Sequence, residues 1–135
     1  MARLTDFTFP LEGLNYTDLI EIERLCQVNG WGFTYSSIHG HIKDPHQHKA
    51  AGIRKLIRLA SELRTEAKQL ITVGDSRNDQ EMFDSSLFPY SVGVANIERH
   101  LNQMQYHPKY VTEAPGAAGF CELIAALVKN KRQLS

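Results

Sequence analysis

The sequence predicts an α/β fold in which a parallel sheet with helical cover follows a small α+β unit. Three observations carry this expectation. Downstream of Asp44-Pro45, short apolar runs alternate with amphipathic segments, the pattern of strands joined by crossover helices. The run Leu70-Ile71-Thr72-Val73 reads as a buried strand and stops at Gly74, which opens a loop carrying Asp75, Ser76, Asn78 and Asp79. Upstream of Asp44-Pro45 the style is strand–helix–strand with interspersed aromatics, so the chain divides into residues 1–44, residues 45–130 and a polar tail at 131–135.

The elements follow in order. Arg3 to Phe9 alternates loosely and ends at Pro10, as a strand does. Thr17 is placed to cap a short helix whose Leu19, Ile22, Leu25 and Cys26 share one face, and Asn29-Gly30 closes it. Trp31 to Lys43 reads as a strand or hairpin, with Trp31 packed on the helix before it. From Gln47 to Arg64, Ile53, Leu56, Ile57, Ala60 and Leu63 form the clearest helical stripe in the chain. Beyond the Gly74 loop come a short helix at Gln80 to Phe83 and a strand at Ser91 to Ala95, in which Gly93 permits close backbone packing. Asn96 is placed to cap a helix from Ile97 to Met104, and Tyr110 to Thr112 forms a further strand. A last helix, Gly119 to Lys129, is expected to bury Phe120, Leu123, Ile124, Leu127 and Val128, with a fraying tail after it.

Composition narrows the function classes. Hydrophobic residues make up 42% and charged residues 22%, an ordinary globular balance. Fifteen basic residues match fifteen acidic ones, so no overall field draws the chain to nucleic acid or to a membrane surface. No apolar stretch approaches the roughly 20 residues of a membrane-spanning helix. Cys26 and Cys121 form no CxxC pair, which fits reduced thiols in a cytoplasmic protein.

The chemistry concentrates after Gly74. In open α/β sheets, ligand-binding groups sit just past the carboxyl ends of the strands. Asp75 and Asp79 there suit a hard cation such as Mg²⁺, which takes oxygen ligands and keeps several waters. A phosphoryl group in transfer spreads negative charge over its oxygens, so a cation and a fixed ammonium are what stabilises it. Lys49, at the start of the striped helix, can supply the ammonium. Plainer readings exist: the acids also suit a turn and a helix start, and Lys49 taken alone is a solvated lysine. His39, His41, His46 and His48 form a competing constellation, although their spacing matches no established zinc pattern and scattered loop histidines account for it. Arg77 reads as a solvated loop charge.

The ordered set of Lys49, Gly74-Asp75-Ser76-Arg77-Asn78-Asp79, Val92-Gly93-Val94-Ala95-Asn96, Tyr110-Val111-Thr112 and the Gly119 helix resembles the haloacid dehalogenase superfamily. More narrowly, it is similar to the C-terminal half of the sugar-phosphatase branch with a large α+β cap, the sucrose-phosphate phosphatase, mannosyl-3-phosphoglycerate phosphatase and Cof types. The resemblance covers roughly residues 31–128. It implies that residues 1–44 are a remnant of the cap and residues 45–130 the C-terminal half of a Rossmann-like core. Asp75 would be a direct Mg²⁺ ligand and Asp79 would support the metal or the lysine. Ser76 and Asn78 would orient the carboxylates and bind the substrate's phosphate, while Lys49 and Asp79 would serve catalysis. The substrate would be a sugar phosphate or similar small phosphomonoester.

The family's N-terminal Asp-x-Asp-Gly-Thr motif, whose first Asp attacks phosphorus, is not found in this sequence. A degenerate version at Asp6-Phe7-Thr8-Phe9, with Ser36 or Ser37 as a later motif, is an alternative, but no glycine follows to make the tight turn. Without a neighbouring catalytic strand, the strand at Leu70 to Val73 would present an open edge. The expectation is therefore a truncated phosphatase chain that pairs with an N-terminal half or with itself. The alternative is a non-catalytic remnant or cation- and phosphate-binding module that pairs with another chain.

Overall fold

The computed structural model describes residues 6–59 and 69–133. The described elements run β1 (Asp6–Pro10), α1 (Tyr16–Val28), β2 (Gly32–Tyr35), β3 (His39–Lys43), α2 (Lys49–Leu59), β4 (Thr72–Gly74), β5 (Ser91–Gly93), β6 (Tyr110–Val111) and α3 (Gly116–Gln133). Short 3-10 segments occupy Arg77–Phe83, Ala95–Arg99 and Leu101–Gln103. The expected α/β architecture is present, as two three-stranded sheets. One is antiparallel in the order β1-β3-β2, and the other is parallel in the order β4-β5-β6.

The antiparallel sheet has two chemically distinct faces, set by its register. Phe7 and Phe33 oppose Ile42, while Phe9 and Tyr35 oppose Gly40. Directly opposed residues share a face, so the aromatics gather on one side. Their rings follow one another at 6.1 Å (Phe7–Phe9), 6.2 Å (Phe9–Phe33) and 5.8 Å (Phe33–Tyr35). Gly40 makes this possible: a Cβ there would lie 2.6 Å from the Phe9 ring. The other face carries Asp6, Thr8, Thr34, His41 and Lys43.

Helix α1 starts two residues earlier than Thr17 capping would allow. Asn15 is the cap, its Oδ1 accepting from the amides of Thr17 (2.8 Å) and Asp18 (3.2 Å). Asp18 returns the favour by accepting the Asn15 amide at 2.8 Å, which completes a capping box. Asn15 supplies, through its amide carbonyl, the side-chain acceptor that the Thr17 hydroxyl was expected to offer, two positions upstream. The helix closes at Asn29 and Gly30, with Gly30 at φ +77.

In the parallel sheet, Thr72 pairs with Ser91, Val73 with Val92 and Gly74 with Gly93, while Val92 and Gly93 pair with Tyr110 and Val111. The ladder extends through Val94 N to Gly74 O and Thr112 N to Gly93 O, both at 3.0 Å. Two apolar clusters cover it. Ala50, Met82 and Phe88 bring α2 onto the 77–83 segment, and Phe83, Ile97 and Met104 tie that segment to the 95–103 turns. Where α-helices were expected at 80–83 and 97–104, the chain makes 3-10 turns. Segments this short cannot recover the cost of an α-helical nucleus, so tighter i to i+3 bonds close them instead.

The expected burial of two helical stripes is not what the structure has. On α3, Phe120, Ile124, Leu127 and Val128 are exposed, and on α2 Leu56 and Leu59 are exposed, with Ile53 and Ile57 half-buried. Ala60 and Leu63 of the expected stripe lie outside the described residues. The amphipathic pattern still forms helices, but among the described residues only part of each stripe is covered, Ile53 against the Ala50, Met82 and Phe88 cluster being the clearest case. Beside β4, Ile71 is exposed too, and among the described residues β4 bonds to no strand but β5. Trp31 is likewise exposed rather than packed on α1. Helix α3 begins at Gly116 and continues to Gln133, through most of the tail expected to fray.

Candidate active site

The loop that follows β4 folds back on its own strand. A Cβ at Gly74 would lie 2.5 Å from Asp79 Cβ and 2.8 Å from Phe83 Cζ, so the glycine leaves room for Asp79 against the strand end. There Asp79 is buried, and its Oδ2 accepts the amide of Asp75 at 3.0 Å. Its other oxygen, Oδ1, accepts a short hydrogen bond from Lys49 Nζ. Lys49 is the first residue of α2, and its side chain is 57% exposed against 3% for Asp79. A buried carboxylate thus anchors an ammonium that still reaches solvent and can meet an anion.

Within the loop, Ser76 Oγ donates to Asn78 Oδ1 at 2.7 Å, and the Asp79 amide donates to Ser76 O at 3.0 Å. Asp75 points outward and is exposed. Its Oδ2 accepts a 3.3 Å bond from Asn96 Nδ2. The Oδ1 of Asn96 in turn accepts the amide of Gly116, the first residue of α3, at 2.9 Å. Asn96 therefore does not cap the 95–99 turn as expected, since that turn has no side-chain cap. It steadies Asp75 instead. Its position just past the end of β5 is a signal that sequence reading could have used, because that is where such sheets gather functional groups.

Further groups surround this rim. Burial pushes the His100 ring below its usual pKa, with the Asp75 carboxylate opposing the fall and Arg99 adding to it. Burial also lowers the Lys43 ammonium, against the pull of Glu81 and Asp6 and with help from Lys49. Lys43 lines a cavity of about 250 Å³ together with Trp31, His48, Arg77, Asn78 and Glu81. Arg77 is not a solvated loop charge: its side chain is 14% exposed and bonds Glu23 of α1 at 2.7 Å.

The structure thus brings Lys49, Asp75 and Asp79 to one rim of the parallel sheet, with Ser76 and Asn78 in the same loop. It does not gather the histidines. Among the described residues no three His, Cys, Asp or Glu side chains form a metal-holding group. His41 Nδ1 lies 3.1 Å from Asp6, and His48 Nδ1 accepts the Ala51 amide. Asp6 sits in the antiparallel sheet, on β1, and not at this rim. The hydrogen-bonding groups that Asp75 and Asp79 offer here are carboxylate oxygens, one of the two carboxylates being exposed. That chemistry fits Mg²⁺, which needs only one or two protein carboxylates and fills its shell with water and phosphate oxygens.

Comparison with known proteins shows the family of the chain. A family model for haloacid dehalogenase-like hydrolases matches residues 18–119. A phosphoglycolate phosphatase of Methanosarcina acetivorans is 36% identical over 90 residues, 67% of this chain and 36% of that protein. One from Haloarcula marismortui is 34% identical over 104 residues, 77% of this chain and 42% of its own length. The chain thus spans well under half the length of these relatives. Among solved structures, the sucrose-phosphatase of Synechocystis sp. PCC6803, in complex with sucrose and phosphate, superposes with a TM-score of 0.69 at 17% identity, covering 93% of this chain and 52% of that one. No described helix is long and apolar enough to cross a membrane. The chain belongs to the haloacid dehalogenase-like hydrolases.

Proposed function

We propose that this chain supplies the cation- and phosphate-binding half of a Mg²⁺-dependent phosphatase acting on a small phosphomonoester. The observation that carries the proposal is the convergence of Lys49, Asp79 and Asp75 past the end of β4. Bound Mg²⁺ would neutralise phosphate charge and orient the transferring group. Asp75 would hold the ion, because its carboxylate is exposed and is steadied by Asn96. Asp79 would act through its bond to Lys49 rather than on the ion, since both its oxygens are already engaged. Lys49 would place its ammonium against the phosphate oxygens. Ser76 and Asn78 would keep the loop in shape around the phosphate.

The attacking carboxylate would come from a strand that pairs beside β4, where among the described residues no strand lies on the side away from β5 and Ile71, Leu56 and Leu59 are exposed. That pairing is the partner proposal: a strand–helix segment bearing Asp-x-Asp-Gly-Thr, or failing that a second copy of this chain. Residues 1–44 would belong to a cap. The names of the relatives make phosphoglycolate the first substrate to try, and the sucrose-phosphatase likeness makes sugar phosphates the second. That edge of β4 also favours a second reading, in which the unpaired chain binds cation and phosphate without turnover.

The test is titration calorimetry with Mg²⁺, and phosphate release from p-nitrophenyl phosphate and phosphoglycolate by the chain alone and with a segment carrying Asp-x-Asp-Gly-Thr. Expected is Mg²⁺ binding that Asp75→Asn weakens by about tenfold or more, with turnover only after pairing. Binding without turnover in either state would leave the second reading. A well-folded chain that binds no Mg²⁺ would refute both.

A further inference from the structure

The loop that carries Asp75 and Asp79 has two sets of fastenings. Its internal bonds, Asp79 to the Asp75 amide and Ser76 to Asn78, fix its shape. They do not fix its place against the antiparallel sheet. Between Ser76 and Asn78, the side chain of Arg77 leaves the loop in the direction of that sheet. Its Nη2 donates to Glu23 Oε1 of α1 at 2.7 Å, and its guanidinium lies 5.0 Å from the centre of the Tyr35 ring on β2. Tyr35 is itself buried, and its hydroxyl donates a short bond to Gln103 Oε1 in the 101–103 turn. Three segments distant in sequence therefore meet at one guanidinium, and a fourth is tied to Tyr35.

We infer that Arg77 is a positioning residue: its ion pair with Glu23 and its stacking on Tyr35 hold the Asp75–Asp79 loop against the antiparallel sheet, and cation binding by that loop depends on this contact. The arrangement commits much of the Arg77 side chain to holding the loop. One nitrogen is committed to Glu23, the face to Tyr35, and Nε is buried with no hydrogen-bond partner. An orphaned buried donor is tolerated only when the rest of the contact outweighs it. Charge-assisted bonds between two largely desolvated groups do so, and removing either partner leaves the other charge uncompensated. The loop would then be free to shift by the small distances that spoil ligand geometry.

The test uses the full chain and two readouts. Mg²⁺ affinity is measured by calorimetry, and amide hydrogen exchange is followed at residues 75–79 and along α1, for wild type, Arg77→Met, Arg77→Lys, Glu23→Gln and the Arg77→Met/Glu23→Gln double variant. Arg77→Met is expected to raise the Mg²⁺ dissociation constant by about tenfold, as loss of a supporting contact does. Arg77→Lys should recover part of the loss, and the double variant should be no weaker than Arg77→Met. Exchange should quicken at 75–79 and in α1 together. The affinity readout rests on the proposed metal site, while the exchange readout does not. If wild type binds no Mg²⁺, the proposed function fails and with it the link to cation binding, while coupled quickening in the variants would still support Arg77 as the residue that positions the loop. Unchanged exchange at 75–79 in a folded Arg77→Met would overturn it, as would Mg²⁺ affinity within twofold of wild type. Should Arg77→Met not fold, Glu23→Gln and Arg77→Lys decide by the same criteria.

Discussion

Replacing Gly74 by alanine adds one methyl group at the point where the loop folds back on β4. Three atoms stand in its way: Asp79 Cβ at 2.5 Å, Asp79 Cγ at 2.8 Å and Phe83 Cζ at 2.8 Å. Carbon atoms settle at about 3.5–4.0 Å, so relief requires movements of roughly 1 Å. None of the three belongs to a flexible chain end. Asp79 is held between Lys49 and the Asp75 amide, and Phe83 is 2% exposed within an apolar cluster. Overpacking of this kind costs about 1–3 kcal/mol, and the rigid surroundings argue for about 2 kcal/mol or more. With a urea m-value of about 2 kcal/mol/M, the unfolding midpoint should fall by about 1 M. The backbone itself adds no penalty, since Gly74 is not in the left-handed region. Urea titration followed by circular dichroism measures the shift. Pairing Gly74→Ala with Phe83→Leu should recover only part of the loss, because two of the three contacts belong to Asp79. A midpoint within about 0.2 M of wild type would show that the loop does not need the glycine, and the account of Asp79 placement would be wrong.

Two more outcomes follow from burial. The folded-state pKa of His100 is depressed, so the unfolded chain binds the proton more readily, and stability present above the unfolded value of about 6.5 is lost as pH falls towards the folded value. His100→Gln should therefore lose less stability than wild type between pH 8 and pH 5.5 in urea titrations, and equal losses would refute the assignment. Cys26 is buried, and burial, with Glu23 adding to it, pushes its thiol pKa up, whereas Cys121 is exposed. A disulfide reagent should modify Cys121 promptly and Cys26 only on unfolding. Prompt loss of both thiols in the native protein would contradict the packing of α1.

Much of this was legible in the sequence because the signals are local. A buried run ending in Gly74 and acids, and a striped helix opening with Lys49, specify strand, loop and helix start without reference to the rest of the chain. Their meeting at one rim follows from the parallel topology that alternation implies. What escaped depends on long-range contacts. Arg77 looks solvated until Glu23 and Tyr35, far away in sequence, are brought to it. Asn96 looks like a cap until Asp75 and Gly116 claim both ends of its amide. Apolar periodicity in α3 predicted burial because the pattern records which face a helix would cover, not what lies opposite it.

Trp31 has a use that its exposed setting creates. It is the chain's single tryptophan, and it lines the same cavity as Lys43, His48, Arg77 and Asn78. Indole emission responds to the polarity around the ring, and here there is no second indole to blur it. Anything that enters this cleft, or any hinge that opens it, would therefore announce itself in the intrinsic fluorescence of the native polypeptide, with no label attached.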